Sequence, residues 1–458
     1  MFLSTQAPFS VYKLIINSCK FNAEKRVGKK LEVKVIKYKK YPSLNYLFYF
    51  ILFIISGRIF SKQHRLYANF FNIEIGRFIT ATTFKDARSY TNKFYFYKNY
   101  LKNFYKAGVI INSAEYYSKN IKFDFIYIDH CGYMNGILYS FFAKKKLIYT
   151  NNYPKNIFLT HKKSFNFYEK NLRVQKDKKK INNNILNKSK RLVDKLINKP
   201  GTIPWLAYAK FDKLKKIPKI EQYEYIVYAH SFTDGQLWLG NDGFENSYDW
   251  LDFTLKNLIS RNKKVIIKCH PNYFNKVFGT TAIWDNLIFN NLYLKYKNNK
   301  NLYFIKRPVL NSEIMKKINK KCIAVTHHGN VVFELAHLNF KIIGSKSTIF
   351  SEDHKITNDW ANPKEYLDLL YRPYEKLKHA DKEDLYNLVN NLFYNPKGFY
   401  GKNTINFVTE RLLSKKLKKL LMTRARFNND IFQKNLDNYL PNSIQNKICS
   451  IVGKNILS

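Results

Sequence analysis

The chain has 458 residues, 45% of them apolar, and carries 79 Lys plus Arg against 33 Asp plus Glu, a formal charge of +46. That length exceeds one ordinary core and that apolar content excludes global disorder, so two α/β domains with a helical tail are expected. The Lys excess accompanies abundant Asn, Ile, Tyr and Phe from end to end rather than clustering in one module, so no nucleic acid partner is expected.

The remaining phosphate-rich partners for such a surface are anionic lipid and nucleotide-linked sugars. The five cysteines, Cys19, Cys131, Cys269, Cys322 and Cys449, are widely spaced without a CxxC. They fit a reducing compartment and packed free thiols, not a disulfide framework or structural zinc. No secretory signal is recognisable near the start, so a cytoplasmic location is expected.

The first notable element is Tyr46 to Ile55, continuously apolar and preceded by Lys34, Lys37, Lys39 and Lys40. A spanning helix needs about 20 apolar residues, so this run is either a buried helix or an interfacial one beside an anionic leaflet. Phe123 to Ile128 reads as a strand ending in Asp129, His130, Cys131 and Gly132. A helix over Tyr133 to Lys144 and a strand over Lys146 to Tyr149 complete a βαβ unit, hence parallel sheet. Residues 172–199 are Lys- and Asn-rich and read as an exposed helix and linker, and Pro200, Gly201, Pro204 and Pro218 mark a domain junction.

Beyond it, Tyr225 to Ala229, Lys264 to Lys268, Leu302 to Ile305, Lys321 to Thr326 and Phe340 to Ile343 read as short strands. Helices over Asp249 to Ser260 and about Val331 to Leu338 intervene, the alternation of a Rossmann-like lobe. The expected division is an acceptor-side lobe over 1–210 with the apolar helix near 46–60, a nucleotide-sugar lobe over 211–361, and a helical extension over 362–458.

Three predicted strands end in histidine-bearing turns: His230-Ser231, His270-Pro271, and His327-His328-Gly329-Asn330. In a doubly wound sheet these ends converge on the rim where ligands bind. Pro271 biases His270 towards extended backbone, holding the imidazole out of the strand end. Imidazole donates to a phosphate oxygen, or as the cation stabilises a departing phosphate. The turn after Thr326 leads into a helix, a natural anion site, and Glu334 one turn along is placed to accept from ribose hydroxyls. A structural role is the alternative for each of these residues. A metal site built from the four histidines lacks HxH or HExxH spacing, and Ser231 lacks the GxSxG elbow of a nucleophile. No P-loop or GxGxxG is present, which excludes ordinary NTPase and NAD readings.

Lys-Cys-His-Pro (268–271) resembles the His-Pro motif of bacterial capsule polysaccharide glycosyltransferases, including Kdo transferases and polysialyltransferases. Thr326 to Ala336 resembles the nucleotide-binding turn and helix of GT-B enzymes, and His230 to Trp250 looks like the start of the same lobe. The resemblance covers roughly 224–345, with a weaker echo at Asp129 to Gly136. It implies two Rossmann-like lobes, a nucleotide-activated sugar held by the second, a glycan or glycolipid acceptor by the first, and no metal or cofactor. It places His270 at the donor phosphate or nucleotide, His327, His328 and Gly329 at the phosphate turn, and Glu334 near the ribose; His230, Ser231, Pro271 and Asn330 are expected to bind the donor alongside them. An inverting transfer also needs a base on the acceptor hydroxyl. Asp129 is the first choice, being a strand-end carboxylate of the opposite lobe, and Asp234 the second.

The expected function is therefore a metal-independent glycosyltransferase of capsule or surface polysaccharide synthesis, peripheral to the inner membrane. The alternatives are a CDP-polyol phosphotransferase of teichoic-acid type and a non-catalytic basic protein binding polysaccharide or nucleic acid.

Overall fold

The computed structural model describes residues 2–3, 39–121, 125–128, 132–142, 147–152, 157–161, 182–198, 211–215, 217, 219–235, 237, 240–274, 280–348 and 354–393. Two sheets, each with helices, make an α/β protein of two lobes. In the first, β1 (Phe2–Leu3) precedes a two-stranded hairpin, β2 (Asn69–Phe70) and β3 (Ile73–Glu74). β4 (Phe125–Ile128) and β5 (Leu147–Asn152) are parallel, as the βαβ reading requires. β6 (Ile157–His161), which the sequence did not reveal, closes the sheet antiparallel in the order β1-β4-β5-β6. A 28-residue helix, Lys93–Asn120, is the spine of this lobe; Asn92 caps it by accepting from the Phe94 and Tyr95 amides.

The second sheet is wholly parallel. β7 (Tyr225–Tyr228), β8 (Val265–Lys268), β9 (Leu302–Ile305), β10 (Ile323–Thr326), β11 (Ile342–Ser345) and β12 (Asn358–Trp360) lie in the order β12-β11-β10-β7-β8-β9. The order reverses at β7 and β10, the position where such sheets open a crevice. Their side chains alternate between layers, which is why the strands read as unbroken apolar runs. Ile226, Ile266, Ala324 and Ile342 face one layer. Val227, Val265, Ile267, Val325 and Ile343 face the other, against Trp250, Leu255 and Leu258 of helix Ser247–Ser260. The first layer is continuous with the core of the first lobe through Tyr46, Phe104 and Ile137.

Of the segment 172–199, read as an exposed helix and linker, the described residues 182–198 depart from that expectation. Helix Asn183–Asn198 buries Val193, Leu196 and Ile197 and packs on helices Val332–His337 and Lys382–Phe393. Val193 and Ile197, four apart, line up with Leu196 on one apolar face, which the polar composition of the segment obscures. After 362, helix Pro363–Leu370 starts on an Asn362 cap with proline in its first turn, and both it and helix Lys382–Phe393 bury leucines against the second lobe. The remainder of the expected extension, from 394 on, lies outside the described residues.

Candidate functional site at the carboxyl rim of the parallel sheet

Adjacent strands β10, β7 and β8 end in register, with Thr326 beside Tyr228 and Tyr228 beside Lys268. The three histidine turns that follow are therefore neighbours. The His230 and His328 ring centroids are 3.9 Å apart, and those of His230 and His270 are 5.7 Å apart. All three rings are partly buried.

Hydrogen bonds assign their tautomers. His270 Nδ1 accepts from the Asn272 amide at 3.2 Å, so its proton sits on Nε2. The turn Pro271–Phe274 that follows His270 presents that amide. His230 Nδ1 lies 3.1 Å from the Ser231 carbonyl, to which it donates, leaving the lone pair on Nε2. The rim thus presents one imidazole as donor and its neighbour as acceptor. Burial pushes the His230 pKa down to about 4. Burial, then neighbouring imidazoles, also hold His270 and His328 well below the usual histidine range. Without a ligand the cluster is neutral, because each cation would be poorly solvated and would repel the next.

His327 turns the other way. Its Nε2 is 2.8 Å from the buried Asp242 carboxylate, its Nδ1 meets Nδ1 of His328, and Trp250 and Trp360 flank the ring. Burial raises the Asp242 pKa, but His327 and the hydrogen bonds from Ser345 and the Phe244 amide outweigh it and bring it down. His327 is therefore an inner support for His328.

Asp285, on helix Thr280–Tyr296, supports the His230 turn. It accepts from the Ser231 hydroxyl at 2.5 Å, the Phe232 and Thr233 amides at 3.0 and 2.8 Å, and the Thr233 hydroxyl at 2.8 Å. Ser231 is accordingly directed into the protein. Gly235 closes the turn at φ +72°, a conformation suited to glycine, with space for a Cβ limited by the His230 ring 3.3 Å away.

The first lobe reaches the same rim. Tyr133 donates to Asp234 Oδ1 at 2.7 Å and accepts from the Gly235 amide at 2.9 Å, while Lys85 Nζ lies 3.7 Å from the Tyr133 ring centroid. Burial lowers the Lys85 pKa against the pull of Asp234. Asp234 thus stands between the lobes beside a cation. Asp129, the other carboxylate singled out from the sequence, lies outside the described residues.

Glu334 is partly buried on helix Val332–His337, accepts from Asn311 at 2.9 Å, and is raised to about 7 by burial. It interacts electrostatically with Lys268, a buried lysine at the end of β8 whose own pKa burial lowers. That helix is six residues long, so its dipole is slight; Gly329 donates to Thr326 Oγ1 at 3.3 Å, and Asn330 is exposed. Among the described residues no group of three or more His, Cys, Asp or Glu side chains is arranged to hold a metal ion.

A cavity of about 410 Å³ opens at the opposite, amino end of the strands. Two of its cations are already engaged: Lys263 pairs with Glu224 at 2.6 Å, and Arg261 stacks 3.6 Å from the Tyr371 ring centroid. The carboxyl rim is the better site on chemical grounds.

Asp242, Asp285, Tyr133 and Lys85 were given no role by the sequence, and Lys268 entered only as the first residue of the Lys-Cys-His-Pro motif. Lys268 alone had a local signal, being a lysine inside a buried strand.

No protein-family model matches this chain, and no curated protein matches it. Among solved structures, it aligns with KpsC of Thermosulfurimonas dismutans, a beta Kdo 2,4 transferase, at 11% identity and a TM-score of 0.33, over 59% of this chain and 80% of that one. It also aligns with the UDP-GlcNAc 2-epimerase of Methanocaldococcus jannaschii, solved with UDP-GlcNAc and UDP, at 14% identity and a TM-score of 0.26, over 63% and 81%. Superpositions this loose transfer no activity, and the chemistry has to be argued from the rim itself.

Proposed function

We propose that this chain is a metal-independent glycosyltransferase without a resident cofactor, moving a sugar from a nucleotide-activated donor to a glycan or glycolipid of a capsule or other surface polysaccharide. The observation that carries the reading is the convergence of His230, His270 and His328 at the reversal point of a parallel sheet, beside Asp234 and Tyr133 where the two lobes meet. His270 offers an Nε2 proton to a donor phosphate oxygen. Developing negative charge on the departing nucleotide raises the basicity of the whole cluster, so stabilisation grows as the glycosidic bond to phosphate breaks. The acceptor hydroxyl loses its proton to a single carboxylate, for which Asp129, outside the described residues, is the first candidate and Asp234, where the lobes meet, the second. Tyr133 orients Asp234 for that role. The work takes place in the cytoplasm at the inner membrane.

The same pairing of imidazole donor and acceptor also suits transfer of a polyol phosphate from a CDP-linked donor, and the product separates the two: a glycosidic bond or a phosphodiester. The first test is a thermal-shift screen against CMP, CDP, UDP and GDP, repeated with His270→Ala. A rise with one nucleotide that the variant loses supports the donor rim and identifies the donor class. No rise at millimolar nucleotide overturns it in favour of a non-catalytic binding protein.

A further inference from the structure

Helix Leu44–Ile55 is buried along one side and exposed along the other. Tyr46 and Phe53 are buried, with Tyr49 and Phe50 packed beside them on Phe104. The outward stripe, spaced four, three and four residues apart, is Leu44 (83% exposed), Phe48 (64%), Ile51 (49%) and Ile55 (77%), with Leu52 alongside. A surface helix ordinarily turns polar groups outward; this one has Asn45 alone. At 12 residues it is about 18 Å long, well short of a bilayer core, and no described helix is long and apolar enough to cross a membrane.

Two neighbouring features share the character of that face. Hairpin β2–β3 packs on the same helix through Phe70, whose ring is 4.8 Å from Tyr46 and 5.5 Å from Tyr49. Its two-residue tip is Phe71 and Asn72, both at positive φ, and Phe71 is 77% exposed. Asparagine suits that conformation; a large aromatic does not, and its edge contact with Phe70, ring centroids 4.6 Å apart, leaves it mostly exposed. Beside the hairpin, an open cavity of about 360 Å³ is lined by Tyr49, Phe53, Arg58, Gln63, His64 and Tyr67, with no carboxylate. The charge is one-sided as well: between residues 39 and 73 there are five Lys or Arg and no Asp or Glu, and with Arg65 buried against Glu245, Lys62 3.8 Å from Asp249 and Glu74 of the hairpin paired with Arg77, the cations left to this face are Lys39, Lys40 and Arg58.

We infer that this face docks on an anionic phospholipid bilayer, the stripe of helix Leu44–Ile55 and Phe71 entering the interface and the Arg58–Gln63–His64 cavity receiving a lipid phosphate. The helix lies in the plane of the membrane, since basic residues flank it at both ends (Lys40 before, Arg58 after) and the headgroup layer is where they are best placed. This deepens the envelope placement proposed above and rests on that reading only for the identity of the membrane.

The test is co-sedimentation of the full chain with vesicles of phosphatidylcholine alone, and of equal parts phosphatidylcholine and phosphatidylglycerol. Deleting the helix would remove Tyr46 and Phe53 from the core, so the variants change only exposed positions: Phe48→Gln/Ile51→Gln/Ile55→Gln together, and Arg58→Ala separately. The protein should bind the anionic vesicles and not the neutral ones, and less as salt rises. The triple variant should lose about tenfold or more in partition, and Arg58→Ala should weaken the preference for the anionic lipid. Failure of the wild type to sediment, or a triple variant that binds unchanged, overturns the inference. So does a dimer in sedimentation velocity that the triple variant converts to monomer without any vesicle binding, since the face would then be a self-interface. The nucleotide thermal shift is read on the same preparations. A response to nucleotide without vesicle binding removes the membrane face alone, and vesicle binding without a nucleotide response removes the transfer reaction alone.

Discussion

Arg65 and Glu245 meet across the two lobes in a bidentate pair, Nε to Oε1 at 2.7 Å and Nη2 to Oε2 at 2.9 Å, with both side chains almost fully buried. Arg65 also donates to the Ile59 carbonyl at 2.7 Å, and Glu245 lies just before helix Ser247–Ser260 of the sheet lobe. The pair fixes the first lobe over the rim on which Tyr133 meets Asp234. Removing one partner leaves the other charge buried without compensation. Arg65→Ala should therefore cost about 3–5 kcal/mol in chemical denaturation, whereas the apolar double replacement Arg65→Met/Glu245→Leu should cost far less. Equal losses in both would mean that packing, not charge, makes this contact.

Asp285 is expected to matter for binding as well as for stability, since it accepts four hydrogen bonds from the turn carrying His230. Asp285→Ala leaves two buried amides and two hydroxyls to find new partners. A loss on the order of 3 kcal/mol in stability should accompany loss of the nucleotide thermal shift. Retention of the nucleotide response at full size would show that the turn holds its shape without Asp285.

The His230 imidazole should stay neutral to about pH 4 in the free protein, with its proton on Nδ1, as read by NMR of labelled histidine. The sign of its linkage follows from the lowered pKa. The unfolded chain binds the proton near pH 6.5 and the folded one only near 4, so the stability His230 contributes is complete above about 6.5 and lost as pH falls to about 4. A bound nucleotide phosphate should raise the cluster's affinity for protons. Calorimetry in buffers of different ionisation enthalpy should then show proton uptake on binding at pH 6, and uptake should fall in His270→Ala.

Glu334 has the opposite sign. Its folded pKa of about 7 lies above the ordinary glutamate value, so its contribution is present at low pH and lost as pH rises from about 4.5 to 7. Glu334→Gln keeps an oxygen for Asn311 and removes the buried charge. It should stabilise the protein on the order of 2 kcal/mol at pH 8 and change little at pH 5, measured by urea denaturation. Destabilisation at pH 8 would mean that the Glu334–Lys268 interaction outweighs burial.

Much of the sheet lobe was legible because a strand covered on both faces needs no alternation: YIVY, VIIK and IAVT announce themselves within four residues each. The histidine turns were equally local, and parallel topology placed them on one rim. β6 and β12 were missed because pairing, not composition, makes a strand of a short segment such as Asn358–Trp360. Helix Asn183–Asn198 was misjudged because Asn, Lys and Arg fill half of its sixteen positions while four others do the packing.

What the amino-acid order determined by itself, then, was the alternation of strand and helix and the placing of His230, His270, His327 and His328 at strand ends. Tertiary structure brought the donor His270 and the acceptor His230 within 5.7 Å of each other, although each tautomer is set locally, by the Asn272 amide and the Ser231 carbonyl of the turns themselves. It also decided that His327 is held inward by Asp242 and that Tyr133 reaches Asp234, contacts between segments about 85 and 101 residues apart. The outward face of helix Leu44–Ile55 belongs to the same class. A run apolar all round carries no period, so only the packing of Tyr46 and Phe53 could show which side remains uncovered.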